Sequence, residues 1–137
     1  MTTINIKRQT ANTLLAHAQS SPKLEICGLI GMDQQQNMQT YLIPNTSKNP
    51  NHFFQMDAKS QIDAMRNMRK NNQTLFGIYH SHPSSPAQPS ETDLKEASYP
   101  ETNYFIISLN TIGVLELRAF QIDNNTFKEL TLTLSDT

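Results

Sequence analysis

The sequence predicts an α/β fold in which helices cover the faces of a mixed β-sheet. Segments with strand and helix patterns intermix along the chain without strict alternation, which disfavours a sandwich or a barrel. The chain has 137 residues, of which 36% are apolar, and this length is typical of one hydrophobic core. Because no internal repeat or linker-like stretch divides the sequence, we expect residues 1–137 to form a single domain.

The first two predicted elements are a strand and a helix. Residues 3–7 have the pattern of a short strand. Leu14, Leu15 and Ala18 then recur at helical spacing and predict a helix over residues 9–19. A Ser-Ser-Pro sequence follows directly, and it ends the helix because proline cannot continue the backbone hydrogen bonds.

Two strands and a second helix come next. Residues 26–31 are apolar on both faces and bounded by turn residues, as expected of a buried strand. Residues 38–43 predict another strand after a Gln-rich turn, and we expect these two strands to pair. Asp57 suits the N-cap of a helix that ends near residues 71–72. One face of this helix carries four apolar residues: Ala58, Ile62, Met65 and Met68.

The second half of the chain predicts three or four strands and one short helix. Residues 74–79 are rich in β-branched and aromatic side chains, and their strand leads directly into a His-Ser-His-Pro sequence. Ser90 suits the N-cap of a helix that extends to about Ser98. Two or three more strands follow, around residues 103–109, 113–122 and 126–134. Apolar residues change parity within the second of these, so we expect a β-bulge near Ala119.

Composition and charge exclude several classes of function. A formal net charge of -1 leaves no basic excess for binding a phosphate backbone, so nucleic acid is not an expected partner. No apolar stretch exceeds about five residues, far below the roughly 20 that span a bilayer. With no hydrophobic leader at the start, we expect a cytoplasmic protein without a membrane partner. Cys27 is the single cysteine, which excludes an internal disulfide and indicates a small buried side chain.

Two histidines lie at positions i and i+2 where the fourth predicted strand ends. Side chains alternate along a strand, so His80 and His82 point to one face and Ser81 to the other. Asp93 lies in the first turn of the next helix and offers a third ligand. Three protein ligands with a position left for water are typical of catalytic zinc, whereas a closed structural site usually needs several cysteines.

Zinc lowers the pKa of a bound water from 15.7 to about 7, but hydrolysis still needs a base. The candidates are Glu25 beside the buried strand, and Glu91 and Glu96 on the helix that carries Asp93. Spacing alone does not choose among these three. Ser90 and Asp93 also have a structural interpretation, because both residue types suit capping of the same helix.

The histidines and the aspartate belong to a longer motif. Residues 80–83 read His-Ser-His-Pro, and six residues, Ser90, two further residues and Asp93 follow. Upstream, residues 25–31 read Glu-Ile-Cys-Gly-Leu-Ile-Gly. Together these segments resemble the JAMM signature of the JAB1/MPN-plus metalloproteases and that family's glutamate segment. The resemblance covers nearly the whole chain, as far as the strand at residues 103–109.

The resemblance implies a fold, a cofactor and a set of roles. The implied fold is a curved mixed sheet flanked by helices, similar to that of cytidine deaminases. His80, His82 and Asp93 would ligate Zn²⁺. Glu25 would activate water as the general base and later protonate the leaving amine, and Ser90 would donate a hydrogen bond to the oxyanion of the tetrahedral intermediate.

The resemblance also implies a class of substrate. Family members hydrolyse the peptide or isopeptide bond after the C-terminal Gly-Gly of ubiquitin or ubiquitin-like proteins. Short members are similar to bacterial enzymes that release cysteine, or another adduct, from sulfur-carrier proteins. This chain is short and has no obvious long insertion, so we expect a small partner whose flexible tail lies along an exposed strand edge.

Two other functions are compatible with the resemblance. A non-catalytic MPN-type scaffold would bind other proteins, but such domains have lost the ligands that are complete here. A cell-wall or phage-associated peptidase would have a second peptidase domain, which this sequence does not resemble. We assign no role to His17 or His52.

Overall fold

A computed structural model of the protein describes residues 2–136. Ten elements follow one another along this part of the chain. They are β1 (Thr3–Lys7), α1 (Arg8–Ser20), β2 (Cys27–Met32), β3 (Met38–Ile43), α2 (Ala58–Lys70), β4 (Thr74–His82), α3 (Glu91–Glu96), β5 (Asn103–Ser108), β6 (Glu116–Asp123) and β7 (Thr126–Ser135). No helix within the described range is long and apolar enough to cross a membrane.

The strands form a seven-stranded sheet in the order β1-β7-β6-β5-β4-β2-β3. Two of the pairings, β1 with β7 and β4 with β5, are parallel. The remaining neighbours pair antiparallel, including β2 with β3 as expected. The predicted mixed sheet with flanking helices is therefore confirmed.

Each face of the sheet is covered by its own hydrophobic cluster. The first cluster lies under α1, where Leu14 and Ala18 pack with Tyr79 and Phe105 of the central strands. The second lies under α2 on the opposite face, with Met68 among its buried members. Because both faces are covered, the central strands are apolar on both sides.

The expected bulge near Ala119 is wrong. β6 pairs with β5 in an unbroken register that includes Ala119 opposite Phe105. Ala119 contributes to the first cluster, whereas Phe120 and Ile122 contribute to the second. The change of parity therefore reflects a strand buried on both faces. The register shift in the β2–β4 pair lies between Ile30 and Gly31, where Phe76 is the extra residue on β4.

The predicted apolar face of α2 is partly wrong. Asp57 caps the helix as expected, since its side chain accepts a hydrogen bond from the Ser60 N–H. Met68 is buried, but Ile62 is 53% exposed and Ala64 is buried in its place. The buried face of the helix is therefore rotated from the predicted apolar face. Packing against the sheet determines which side chains point inward, and the apolar pattern of the helix alone does not.

Candidate metal centre

The end of β4 brings two imidazole rings together. His80 and His82 lie on the same face of the strand, as their spacing predicts, and both are 2% exposed. Their Nε2 atoms are 3.0 Å apart. The Ser81 side chain points to the other face, where it is fully buried. The alternation of side chains along the strand thus brings the two ring nitrogens together on one face of β4.

Asp93 completes this cluster from the first turn of α3. Its Oδ2 lies 3.0 Å from the Nε2 atom of His80 and 3.0 Å from that of His82. The same oxygen accepts a hydrogen bond from the Ser90 N–H at 2.9 Å, while Ser90 Oγ accepts one from the Asp93 N–H at 3.0 Å. This capping box holds the carboxylate in position. Asp93 can therefore take part in capping α3 and belong to the cluster at the same time.

The three atoms fit the ligand set of a single metal ion. They form a triangle with sides of 3.0 Å, and ligands of tetrahedral zinc at 2.0 to 2.1 Å are about 3.3 Å apart. His82 Nδ1 lies 2.8 Å from the Pro86 carbonyl oxygen. A carbonyl only accepts, so Nδ1 carries the proton of the neutral ring and Nε2 offers its lone pair to the cluster.

The electrostatics of the cluster also favour a cation. Burial alone would raise the pKa of Asp93, but His80 and the hydrogen bonds that its carboxylate accepts hold that pKa far below its usual range. Burial alone would lower the pKa of His82, yet Asp93, the Pro86 carbonyl and Glu25 raise it overall. The surroundings therefore stabilise positive charge between the rings, which a divalent ion supplies.

The path of the chain places Glu25 on the same face as the cluster. Cys27 pairs with His80 in the antiparallel β2–β4 ladder. Pairing continues beyond it, because the Ser81 N–H donates to the carbonyl of the residue after Glu25 at 3.0 Å. Extending this register by one more residue puts Glu25 opposite His82, with its side chain on the histidine face.

The Glu25 carboxyl is buried and only 6% of the residue is exposed. Burial raises its pKa to about 7, against a smaller lowering by the charges of His80 and His82. Its Oε1 has no hydrogen-bond partner among the described residues. By contrast, Glu91 and Glu96 lie exposed on α3. Among the three candidate bases, Glu25 is the one that the fold buries beside the histidines.

Two contacts of the cluster have no signal in the sequence. The Pro86 carbonyl, in the loop between β4 and α3, orients His82. The Phe54 ring stacks on His80 with a centroid distance of 4.4 Å. Phe54 belongs to a polar loop far from the motif in sequence, so only the fold places it there. Together these contacts restrict the orientation of both rings.

A cavity of about 590 Å³ opens beside the cluster. His80 and Asp93 form part of its wall, and Glu96 adds a carboxylate. The remaining wall is largely aromatic and aliphatic, and includes Phe53, Phe54, Met56, Tyr99, Tyr104 and Ile122. The volume is within the range of small-molecule sites.

The remaining cysteine and histidines are structural or exposed. Cys27 is fully buried, its thiol donates to the Ile43 carbonyl, and burial raises its pKa to about 12. It is thus a small protonated core residue, as expected. His17 is half-buried, with Nδ1 2.8 Å from the Tyr79 hydroxyl, and His52 is exposed.

Comparison with known proteins identifies the family. The model for prokaryotic homologs of the JAB domain matches residues 7–123. The CysO-cysteine peptidase of Mycobacterium tuberculosis is 30% identical over 119 residues, which cover 85% of this chain and 81% of that protein.

Two solved structures share the fold. A solution structure of a protein from Desulfitobacterium hafniense superposes with a TM-score of 0.84 and 31% identity, covering 97% of this chain and 93% of that one. A JAB1/MPN domain protein from Archaeoglobus fulgidus superposes with a TM-score of 0.60 and 19% identity, covering 98% and 100%; at this identity the likeness concerns the fold alone. The chain therefore belongs to the family of prokaryotic homologs of the JAB domain.

Proposed function

We propose that this protein hydrolyses the amide bond after the C-terminal Gly-Gly of a ubiquitin-like or sulfur-carrier protein. The observation that carries the proposal is the triangle of three ligand atoms with a buried glutamate on the same face. The name of the Mycobacterium tuberculosis relative describes a peptidase acting on a CysO-cysteine adduct, which supports a carrier substrate. The amine that leaves is a cysteine or another adduct.

His80, His82 and Asp93 would hold the zinc ion. When bound, zinc supplies a Lewis acid for the scissile carbonyl and lowers the pKa of water toward neutrality. The protein contributes the orientation of the ligands through the Pro86 carbonyl, which fixes the His82 tautomer, and through the backbone N–H of Ser90, which holds the carboxylate.

Glu25 would move the proton. Burial raises the pKa of this carboxyl to about 7 in the metal-free protein, and a raised pKa suits a carboxyl that accepts a proton from the attacking water and returns it to the leaving nitrogen. The unpartnered Oε1 keeps a lone pair available for the first transfer. A fully solvated glutamate would be a weaker base, because its pKa would lie well below the working pH.

The carrier would approach along an edge of the sheet. Among the described strands, β3 is an edge strand and is separated from β4 only by β2. Leu42 on β3 is 55% exposed. An extended Gly-Gly tail can add to such an edge through backbone hydrogen bonds, since glycines bring no side chain that would hinder the approach.

The proposal includes a cytoplasmic location, a single domain over residues 1–137, and neither nucleic acid nor a membrane as partner. The formal net charge of -1 supports the exclusion of nucleic acid.

Carrier conjugates that end in Gly-Gly followed by an adduct test the proposal directly. We expect the zinc-loaded protein to release the free carrier, detected by intact-protein mass spectrometry. A chelator should stop the reaction and added zinc should restore it. A folded protein that binds no zinc and cleaves no conjugate would instead support the scaffold alternative, even though the ligand set is complete.

Ser90 is the proposed donor to the oxyanion, because its oxygen accepts the cap bond and its proton is left to donate. Ser90→Gly should lower kcat by about 100-fold or more, while glycine, a tolerated N-cap, costs only a few tenths of a kcal/mol. Ser90→Ala should lose the same activity and about 1 kcal/mol of stability. Steady-state kinetics measure the role of Ser90 as donor to the oxyanion, and urea unfolding measures its role as helix cap. A fully active Ser90→Gly variant would show that Ser90 only caps the helix.

A further inference from the structure

We propose that Ser81 is a positioning residue for Glu25. Its side chain holds the segment that carries Glu25 against β4, at the level of the metal ligands. The inference rests on the proposed function, in which Glu25 transfers the proton. The alternation of side chains along the strand predicts only that Ser81 points away from the cluster, and it predicts no role for the hydroxyl.

Ser81 makes hydrogen bonds to the residues on both sides of Glu25. Its Oγ accepts from the Ile26 N–H at 2.9 Å and donates to the Leu24 carbonyl at 3.4 Å. Its own N–H donates to the Ile26 carbonyl at 3.0 Å. The residue is fully buried, so water does not compete for these bonds. The segment is thereby joined to the strand that bears His80 and His82.

The hydroxyl replaces a backbone group at this point of the ladder. In a regular hydrogen-bonded antiparallel pair, two residues exchange both N–H···O=C bonds. Here the Ser81 N–H bonds to the Ile26 carbonyl, but the Ile26 N–H bonds to Ser81 Oγ. The side chain therefore sets the separation of the two chains. Without it, the Ile26 N–H either loses its acceptor or moves toward a different one, and Glu25 moves with it.

The Glu25 carboxyl depends on its backbone for its position. Its Oε1 has no partner within the described part of the chain, so no side-chain bond fixes that oxygen. The backbone is held at three points: the Glu25 N–H donates to the Pro50 carbonyl at 2.7 Å, Asn45 Nδ2 donates to the Glu25 carbonyl at 2.9 Å, and Ser81 holds the neighbouring residues. A misplacement of about 1 Å can lower a catalytic rate by roughly 100-fold.

Kinetics of the zinc-loaded Ser81→Ala variant test this role. We expect kcat to fall by about 10-fold to 100-fold, with KM and zinc content close to those of the wild type. Ser81→Thr keeps the hydroxyl and should recover most of kcat. Ser60→Ala is the matched control, because it removes a hydrogen-bonded serine hydroxyl on α2, away from the cluster, and should leave kcat unchanged.

The coupling between the two residues separates positioning from a general structural role. Glu25→Asp shortens the proposed base, and in that background the further replacement Ser81→Ala should reduce kcat by much less than in the wild type. If the two effects multiply in full, Ser81 does not act through Glu25 and the inference is overturned.

Amide hydrogen exchange of the zinc-free protein gives a readout that does not depend on activity. The Ile26 amide should exchange at least about 10-fold faster in Ser81→Ala than in the wild type, because its acceptor is gone. Unchanged exchange at Ile26, or an unchanged kcat, contradicts the inference.

A second variant is available if Ser81→Ala does not fold. The sulfur of Ser81→Cys is a weak acceptor, so this variant should show a smaller rise in Ile26 exchange and a smaller fall in kcat. If the wild-type protein cleaves no carrier conjugate, the proposed function is wrong. The exchange experiment then still tests whether Ser81 holds the Ile26 amide.

Discussion

Glu25→Gln should retain its zinc and lose at least about 100-fold of kcat, within the range of 10²–10⁴ that general acid–base groups contribute. Glutamine has nearly the same shape, so the ligand triangle is preserved, but the amide cannot accept and return a proton near neutral pH. Zinc content by atomic emission and steady-state hydrolysis of a carrier conjugate measure the two quantities on one preparation. Full activity in zinc-replete Glu25→Gln would exclude Glu25 as the base.

The same variant has a predictable effect on stability, which controls for misfolding. Burial raises the pKa of Glu25 from 4.5 to about 7, so the folded state binds the proton more tightly than the unfolded state. The resulting cost to stability is absent below about pH 4.5, grows as the pH rises, and is complete above about pH 7. Glutamine does not titrate, so in chelator the variant should gain stability over the wild type across this window, by at most about 3 kcal/mol. Urea unfolding at pH 5 and pH 8 measures the difference.

His82→Ala should lose both the metal and the activity. The substitution removes one of the three candidate ligand atoms and leaves the buried Asp93 carboxylate with one fewer neighbouring imidazole. Two ligands hold zinc far more weakly than three, and a metal that binds the folded state stabilises it by mass action. We therefore expect substoichiometric zinc, hydrolysis below detection, and a melting temperature that no longer rises when zinc is added.

His52→Ala is the matched control for this prediction. His52 is exposed and lies outside the group that is able to hold an ion. Its removal should change neither zinc content nor kcat. A His82→Ala protein that binds one equivalent of zinc with wild-type affinity would show that the ion is held elsewhere.

Local patterns predicted where the three candidate ligands lie. His80 and His82 share a face because strand side chains alternate, and Asp93 occupies the first turn of a helix whose cap, Ser90, is visible in the sequence. All of these residues lie within a short stretch of chain, so neighbouring backbone geometry determines most of their arrangement. The two competing interpretations of Asp93, as cap and as ligand, are both compatible with the structure because one oxygen faces the ring nitrogens and the Ser90 N–H.

Predictions that depended on which face is buried were less successful. The bulge at Ala119 and the inward position of Ile62 both assumed that one stripe of apolar residues marks one core. This sheet has a core on each face, so the change of parity in β6 reflects burial on both sides and not an inserted residue.

By itself, the sequence predicted the candidate ligands, their convergence at the end of β4 and, through its motif, the family. Only the tertiary structure decided which glutamate joins them. Glu25 lies 55 residues before His80, and it reaches the cluster because β2 pairs with β4 in the register that puts Cys27 opposite His80, and because Ser81 bonds to the residues beside Glu25. Pairing between distant strands depends on the whole hydrophobic pattern of the sheet, whereas the spacing of two side chains on one strand depends only on backbone geometry.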